Sequence, residues 1–200
     1  MAFTSPRLSE SEAGKVVDLL QDRLVALIDL SLTLKHIHWN VVGPNFIGVH
    51  EMLDPQYAAV AAMVDTTAER IATLGGEPLG TPGAIVARRT WDDYDLNRAD
   101  VQSHLGALDL VYTGLIRGHG EAIDASEPDP VTQDMLVGQA GELEQFHWFV
   151  RAHLEDSSGA LWTEGARTER GAAEQARSAA GRTSTNRRSK SNGAKAKSKR

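Results

Sequence analysis

Five residues between Lys35 and Gly75 have the side chains and the spacing of a metal centre: His38, His50, Asp54, Asp65 and Glu69. His50 and Asp54 stand four residues apart, as do Asp65 and Glu69, so each couple projects from one face of a helix. Imidazole with carboxylate suits iron, manganese or zinc, and a chain without cysteine offers no thiolate for copper(I), an iron–sulfur cluster or a zinc ribbon. On one continuous helix, His50 and Asp65 lie about 22 Å apart at about 1.5 Å per residue. Metal–ligand bonds are roughly 2 Å long, so the two couples cannot share an ion within one chain. Two such helices laid antiparallel about a two-fold axis can do so, because His50 and Asp54 then meet the partner subunit's Asp65 and the partner subunit's Glu69. The same operation makes a second, identical site, and the spacing predicts a centre that exists only in an oligomer.

Each of these residues also has a plainer reading. A single His/Asp couple is more often a surface pair, and Asp65, Glu69 and Arg70 could form a solvated charged face. His38 continues an apolar stripe, where a histidine usually packs in the core, and Trp39 has the type of a packing anchor. Glu144 and His147 have the Glu-x-x-His spacing of intrachain di-iron bundles, but those need two copies and two further glutamates. One copy stands beside Phe146, Trp148 and Phe149, so His147 reads as structural.

Four long helices can hold these residues. The first begins at Ser9, which has capping-box spacing to Glu12, and carries Val17, Leu20, Leu24, Leu27 and Leu34 on one stripe. It should stop near Asn40, ahead of Gly43 and Pro44. The second runs from about Asn45 to Leu74, with Pro55 inside and Gly75 and Gly76 as its stop. A long crossover follows to about Tyr94, with one short helix around Ala84 to Arg89. The third helix fits Asp95 to Asp124; the fourth starts with Asp129 as N-cap and Pro130 at the first helical position, and runs to about Glu155. The fold class is therefore all-α, a ferritin-like four-helix bundle with one long crossover between helices 2 and 3. Residues 1–160 form this domain and 161–200 a flexible basic tail, disordered from Gly171 onward, where apolar periodicity is absent.

The net charge of −6 hides two opposite parts. Nine basic residues lie between Gln175 and the C-terminus, with no acid among them: Arg177, Arg182, Arg187, Arg188, Lys190, Lys195, Lys197, Lys199 and Arg200. Twelve of the 21 Lys and Arg residues remain against all 27 acids, so the first 174 residues carry −15. A basic, unstructured tail can neutralise DNA phosphates without reading sequence, and repetition of it on one particle would multiply the effect; the plainer reading is a solubilising or purely flexible terminus. No apolar run long enough to cross a membrane is present, and Met1 to Glu10 lacks the apolar core of a signal peptide. The expected compartment is the cytoplasm, at the nucleoid.

The stretch KHIHWNVVGPNFIGVHEMLDPQYAAVAAMVDTTAERIATLG closely resembles the Dps family, DNA-binding proteins from starved cells. The HWN, the GPNF–H–D spacing and the D-x-x-AER-I-x-x-LG close carry the resemblance, which extends from about Leu8 to Glu155. It implies a hollow homo-dodecamer of four-helix subunits with two-iron ferroxidase centres at dimer interfaces. It would assign His38, His50 and Asp54 to one subunit's side of the centre, Asp65 and Glu69 to the other's, and Trp39 to the tryptophan that intercepts oxidising equivalents. The implied reaction is oxidation of iron(II), preferentially by hydrogen peroxide, and storage of ferric mineral in the cavity. Acids near the start of the last helix line the family's pores, which makes Asp124, Glu127, Asp129 and Asp134 candidates for iron entry. A haem cage would need the intrachain di-iron set that is missing, so no haem is expected. The alternative reading is a nucleoid-compacting DNA-binding cage with little ferroxidase activity.

Overall fold

The computed structural model describes residues 8–182. The candidate DNA contacts Arg187, Arg188, Lys190, Lys195, Lys197, Lys199 and Arg200 lie outside the described residues. Among the described residues the architecture is helical, with one two-residue strand pair. Helix α1 spans Glu10–Asn40, α2 Phe46–Thr73, α3 Pro82–Arg88, α4 Val101–Ala125 and α5 Pro130–Ala152. A sixth helix, α6, occupies 169–182. The bundle is α1, α2, α4 and α5, and α3 rides on the crossover between its two halves.

Local chemistry sets the ends of these helices. The Ser9 side chain accepts from the Glu12 amide and Glu12 reaches back to the Ser9 amide, which satisfies two orphan donors at the start of α1. Leu20, Leu24, Leu27, Leu30, Leu34 and Ile37 form its buried stripe. Where α1 ends, β1 (Val41–Val42) pairs in parallel with β2 (Ala99–Asp100), Val41 facing Ala99. This short ladder ties the His38 end of α1 to the start of α4. Helix α2 is continuous through Pro55, so the 1.5 Å rise per residue applies across its length. It stops at Gly75, whose φ of +82° needs a residue without Cβ, and the Gly76 amide donates back to Ile71.

Two boundaries differ from expectation. Helix α4 starts at Val101 rather than Asp95, because Asp100 is the N-cap: its Oδ1 accepts from the Ser103 amide at 3.0 Å. Asp95 stays in the crossover, where it takes both nitrogens of Arg170 at 2.8 Å. The second difference is larger. Residues 171–182, read from composition as disordered, are helical, and Ala172, Ala173, Ala176 and Ala179 are buried. Those alanines recur at helical spacing, a periodicity carried by residues too small to register as an apolar stripe. They fit because Gly106 of α4 has no side chain, and a Cβ there would stand 2.6 Å from the Ala172 carbonyl oxygen. Arg177 therefore belongs to a packed helix, with Nε 3.6 Å from Asp100 Oδ2, although its side chain is exposed.

A buried carboxylate joins α4, α5 and the segment leading to α6. Asp109 is 3% exposed and accepts from His147 Nε2 at 2.6 Å, Arg151 Nε at 3.0 Å and Thr163 Oγ1 at 2.5 Å. Burial alone would push this carboxyl's pKa up, but hydrogen bonds from His147, Thr163 and Arg151 outweigh it and hold the value below the ordinary one. His147 is thus structural, as its isolated Glu-x-x-His context indicated.

Gly106→Ala should loosen α6 at a cost of about 1–3 kcal/mol, the usual penalty for overpacking. Hydrogen exchange should rise in 169–182 and not in α1 or α2; unchanged exchange in 169–182 would show that α6 does not depend on this contact. Asp109→Ala should cost about 3–5 kcal/mol in denaturation, because it strands the groups around a buried charge. A carboxyl with a lowered folded pKa stabilises above its unfolded value of about 4 and loses that effect as pH falls through the folded value. The stability gap between wild type and Asp109→Asn should accordingly be full near neutrality and close in acid.

Candidate metal centre

The last turns of α1 and the first turns of α2 bring three of the five candidate ligands together. The rings of His38 and His50 stack with centroids 3.6 Å apart. His38 Nδ1 lies 2.9 Å from the His50 carbonyl oxygen, and His50 Nδ1 lies 2.9 Å from that of His38. A carbonyl can only accept, so each Nδ1 carries a proton, and in the neutral ring the lone pair then lies at Nε2. That reciprocal bond fixes the tautomer needed for ligation and orients both rings, the role that backbone carbonyls serve behind metal-bound histidines. His38 is almost fully buried, His50 half-buried and Asp54 exposed.

Asp54 Oδ1 lies 3.3 Å from His38 Nδ1 and accepts from Lys35 Nζ at 2.9 Å. The hydrogen bond from Lys35, more than the neighbouring histidines, holds the Asp54 carboxyl below its usual pKa, so it is an anion ready for a cation. Lys35 itself lies over the Tyr57 ring at 5.3 Å. Sequence reasoning missed Lys35; its signal was the spacing to His38 and Trp39, three and four residues on, which places all three on one face of α1.

Asp65 and Glu69 stand one turn apart on α2, both exposed, and among the described residues neither carboxylate accepts a hydrogen bond. They lie about 22 Å along the helix from His50, at about 1.5 Å per residue. The structure therefore keeps the two couples apart, and among the described residues no three His, Asp or Glu side chains close around an ion within the chain. Trp39 follows His38 and is 71% exposed, with Phe46 and Ile47 also open at the start of α2. Large apolar side chains left open in that number beside the candidate ligands form a patch of the kind on which molecular contacts are made.

The pore candidates separate into two groups. Asp124, Glu127 and Asp134 are exposed. Asp129 occupies the N-cap position of α5, but it is 4% exposed and accepts from Arg70 Nη2 at 2.6 Å and from Thr132 Oγ1. Burial pushes its carboxyl up while Thr132 and Arg70 pull it down, with a net lowering. It is a lock between α2 and α5 and is not free to line a pore, which corrects the sequence-based expectation. Arg70, the residue after the candidate ligand Glu69, is the donor of that lock rather than part of a solvated charged face.

The ferritin-like domain family matches residues 17–159. The DNA protection during starvation protein of Mycolicibacterium smegmatis is 59% identical over 177 residues, 88% of this chain and 97% of that protein. A solved structure of Mycobacterium smegmatis Dps superposes with a TM-score of 0.82 at 58% identity, over 84% of this chain and 97% of that one. DpsA14 from Streptomyces coelicolor does so with a TM-score of 0.79 at 57% identity, over 80% of this chain and 95% of that one. On this identity, coverage and shared fold, the chain belongs to the Dps family of ferritin-like proteins.

Proposed function

We propose that the protein oxidises iron(II), preferentially with hydrogen peroxide, at two-iron centres completed between two chains, and stores the ferric product in a dodecameric cage. The observation that carries this reading is the division of α2 into two outward ligand couples that one chain cannot unite. On it, Nε2 of His38, Nε2 of His50 and the Asp54 carboxylate hold one side of the substrate iron, and the partner subunit's Asp65 and the partner subunit's Glu69 hold the other. Two iron(II) ions give one electron each to one peroxide, which leaves as two hydroxides. Joining two one-electron donors to a two-electron oxidant avoids release of hydroxyl radical. Asp124, Glu127 and Asp134 supply negative potential where iron(II) enters, in keeping with the −15 charge of the first 174 residues. No haem takes part.

The same particle binds DNA without sequence preference through its basic C-terminal residues, in the cytoplasm at the nucleoid, and so protects DNA from oxidative damage. A second reading, a DNA-compacting cage with little ferroxidase activity, has one observation in its favour: Lys35 occupies Asp54 in the single chain. A metal must displace that ammonium. Exposed ion pairs are worth only about 0–1 kcal/mol, so displacement is a small obstacle and the ferroxidase reading stands first.

Three outcomes are expected. In anaerobic peroxide addition, wild-type cages should oxidise near two iron(II) per peroxide, and intact cages of His50→Ala/Asp54→Ala should lose the fast phase; equal rates would remove the ligand assignment. Cages co-assembled from that variant and Asp65→Ala/Glu69→Ala should regain about a quarter of wild-type activity, because half the dimers are mixed and each mixed dimer rebuilds one of two isologous sites. No regain would mean that the site does not span two chains. Removing residues 183–200, which takes away seven of the nine clustered basic residues, should abolish plasmid retardation and leave iron oxidation intact. A truncated cage that still shifts DNA at low salt would place the contact elsewhere.

A further inference from the structure

Behind the candidate centre lies a second set of rings that the ferroxidase reading does not use. His36 stands two residues before His38 on α1, and its Nε2 donates to the Leu96 carbonyl at 2.7 Å. The edge of its ring meets Tyr94 of the crossover, centroids 5.8 Å apart. Tyr94 in turn lies parallel to His104 of α4, with an interplanar angle of 10°, and its hydroxyl is 3.0 Å from His104 Nδ1. His104 is fully buried, and its Nε2 has no hydrogen-bond partner within ordinary geometry. With its proton at Nε2, the neutral ring leaves Nδ1 to accept from the phenol. Burial is the main force keeping the imidazole neutral, with a pKa lowered to about 4, and it keeps the phenol protonated as well. Trp39 and His36 are three residues apart on α1, so their Cβ atoms are about 5–6 Å apart on one face. The exposed indole thus belongs to a residue one helical turn from His36, whose ring touches a shielded phenol hydrogen-bonded to a buried base.

We propose that Tyr94 is a redox-active tyrosine of the centre, giving an electron toward the His38 side while its phenolic proton passes to Nδ1 of His104. This rests on the ferroxidase reading. When a single iron(II) meets hydrogen peroxide, one electron breaks the O–O bond and leaves iron(III), hydroxide and a hydroxyl-radical equivalent. Trp39 reduces that equivalent to a second hydroxide, and Tyr94 refills Trp39. The Tyr94 O–H bond breaks as the electron leaves, so the pair becomes a neutral phenoxyl radical and a His104 imidazolium. A second iron(II) then returns the electron and His104 returns the proton. The sum is two iron(II) oxidised and one peroxide reduced to two hydroxides, the stoichiometry of the complete site reached from a half-filled one. Neither of the other two tyrosines has a histidine base on its hydroxyl: Tyr112 donates to Gln56 at 2.7 Å, and Tyr57 faces Lys35 through its ring.

The test is freeze-quench electron paramagnetic resonance of assembled cages given less than one iron(II) per centre and excess peroxide. A radical that narrows with ring-deuterated tyrosine, is lost in Tyr94→Phe and persists in Tyr57→Phe supports the proposal. His104→Gln, which keeps a polar partner for the hydroxyl but cannot take its proton, should lower the yield severalfold in a cage of unchanged size. A tyrosyl signal that survives Tyr94→Phe, or iron oxidation in the wild type without any tyrosyl signal, overturns it. If the wild type oxidises no iron, the ferroxidase reading fails and an iron-free arm decides for the pair. There, azide radical from pulse radiolysis oxidises indole, and the passage of the hole to tyrosine is followed by absorbance. Transfer lost in both Trp39→Phe and Tyr94→Phe supports the pair; transfer unchanged in either variant overturns it.

Discussion

An α-helix advances about 1.5 Å per residue, and that fixed rise governs what α2 can do with its ligands. Because the helix runs unbroken from Phe46 to Thr73, its two couples remain about 22 Å apart, however the side chains rotate. The rest of the molecule maintains that separation. The α1–α2 packing supplies the long apolar seam, the β1–β2 ladder anchors the chain just after His38 and Trp39, and the Arg70–Asp129 pair pins the far end of α2 to α5. A softer α2 would let a chain fold its own carboxylates back onto its own histidines. Stiffness is what keeps one chain from bringing both couples to a single ion.

Magnitudes decide which polar contacts hold this scaffold. Arg88 with Asp18 and Asp22, and Arg170 with Asp95, are exposed pairs that solvent screens, so each adds little to stability. The Asp109 and Asp129 clusters are buried and fully bonded, and breaking one of them costs about 3–5 kcal/mol. The exposed pairs set orientation and solubility, while the buried ones fix how α5 and the 156–166 segment lie on α4 and how α5 meets α2. The ligand side chains fall in neither class. Asp65 and Glu69 have no partner among the described residues, and Asp54 has one that a cation can displace. Like-charged groups held without partners on a rigid face are poised for a cation from outside.

The bundle, the crossover and the ligand spacing were legible in the sequence because each rests on a local rule. Leu20 to Leu34 repeat at helical period, Ser9 and Glu12 form a capping box, and Gly75 needs its positive φ. What was not legible depends on contacts distant in sequence. Asp109 looks like any helical acid until His147, Arg151 and Thr163 arrive from 38 to 54 residues away. Asp129 looks like a capping residue until Arg70, 59 residues earlier, captures its carboxylate. Helix α6 escaped for a different reason: its buried face is alanine, and its partner is a glycine in α4, so neither side shows an apolar pattern.

Helix α6 also changes how the C-terminal charge works. Arg170 and Arg177 meet Asp95 and Asp100 at the edge of the crossover, so part of the basic character is spent against the body itself. The seven basic residues after Arg182 then start from a docked helix rather than from the end of α5. Each phosphate they neutralise contributes a salt-dependence slope of about −0.9 on duplex DNA, and that attraction must exceed the repulsion from an acidic body carrying −15. Screening acts over roughly 10 Å at 0.1 M salt, so a positive charge farther than that from the acidic surface feels little of its field. On the proposed function, an acidic body that gathers iron(II) and a basic terminus that holds polyanions require that distance between them. Docking of α6 fixes the point from which that separation begins.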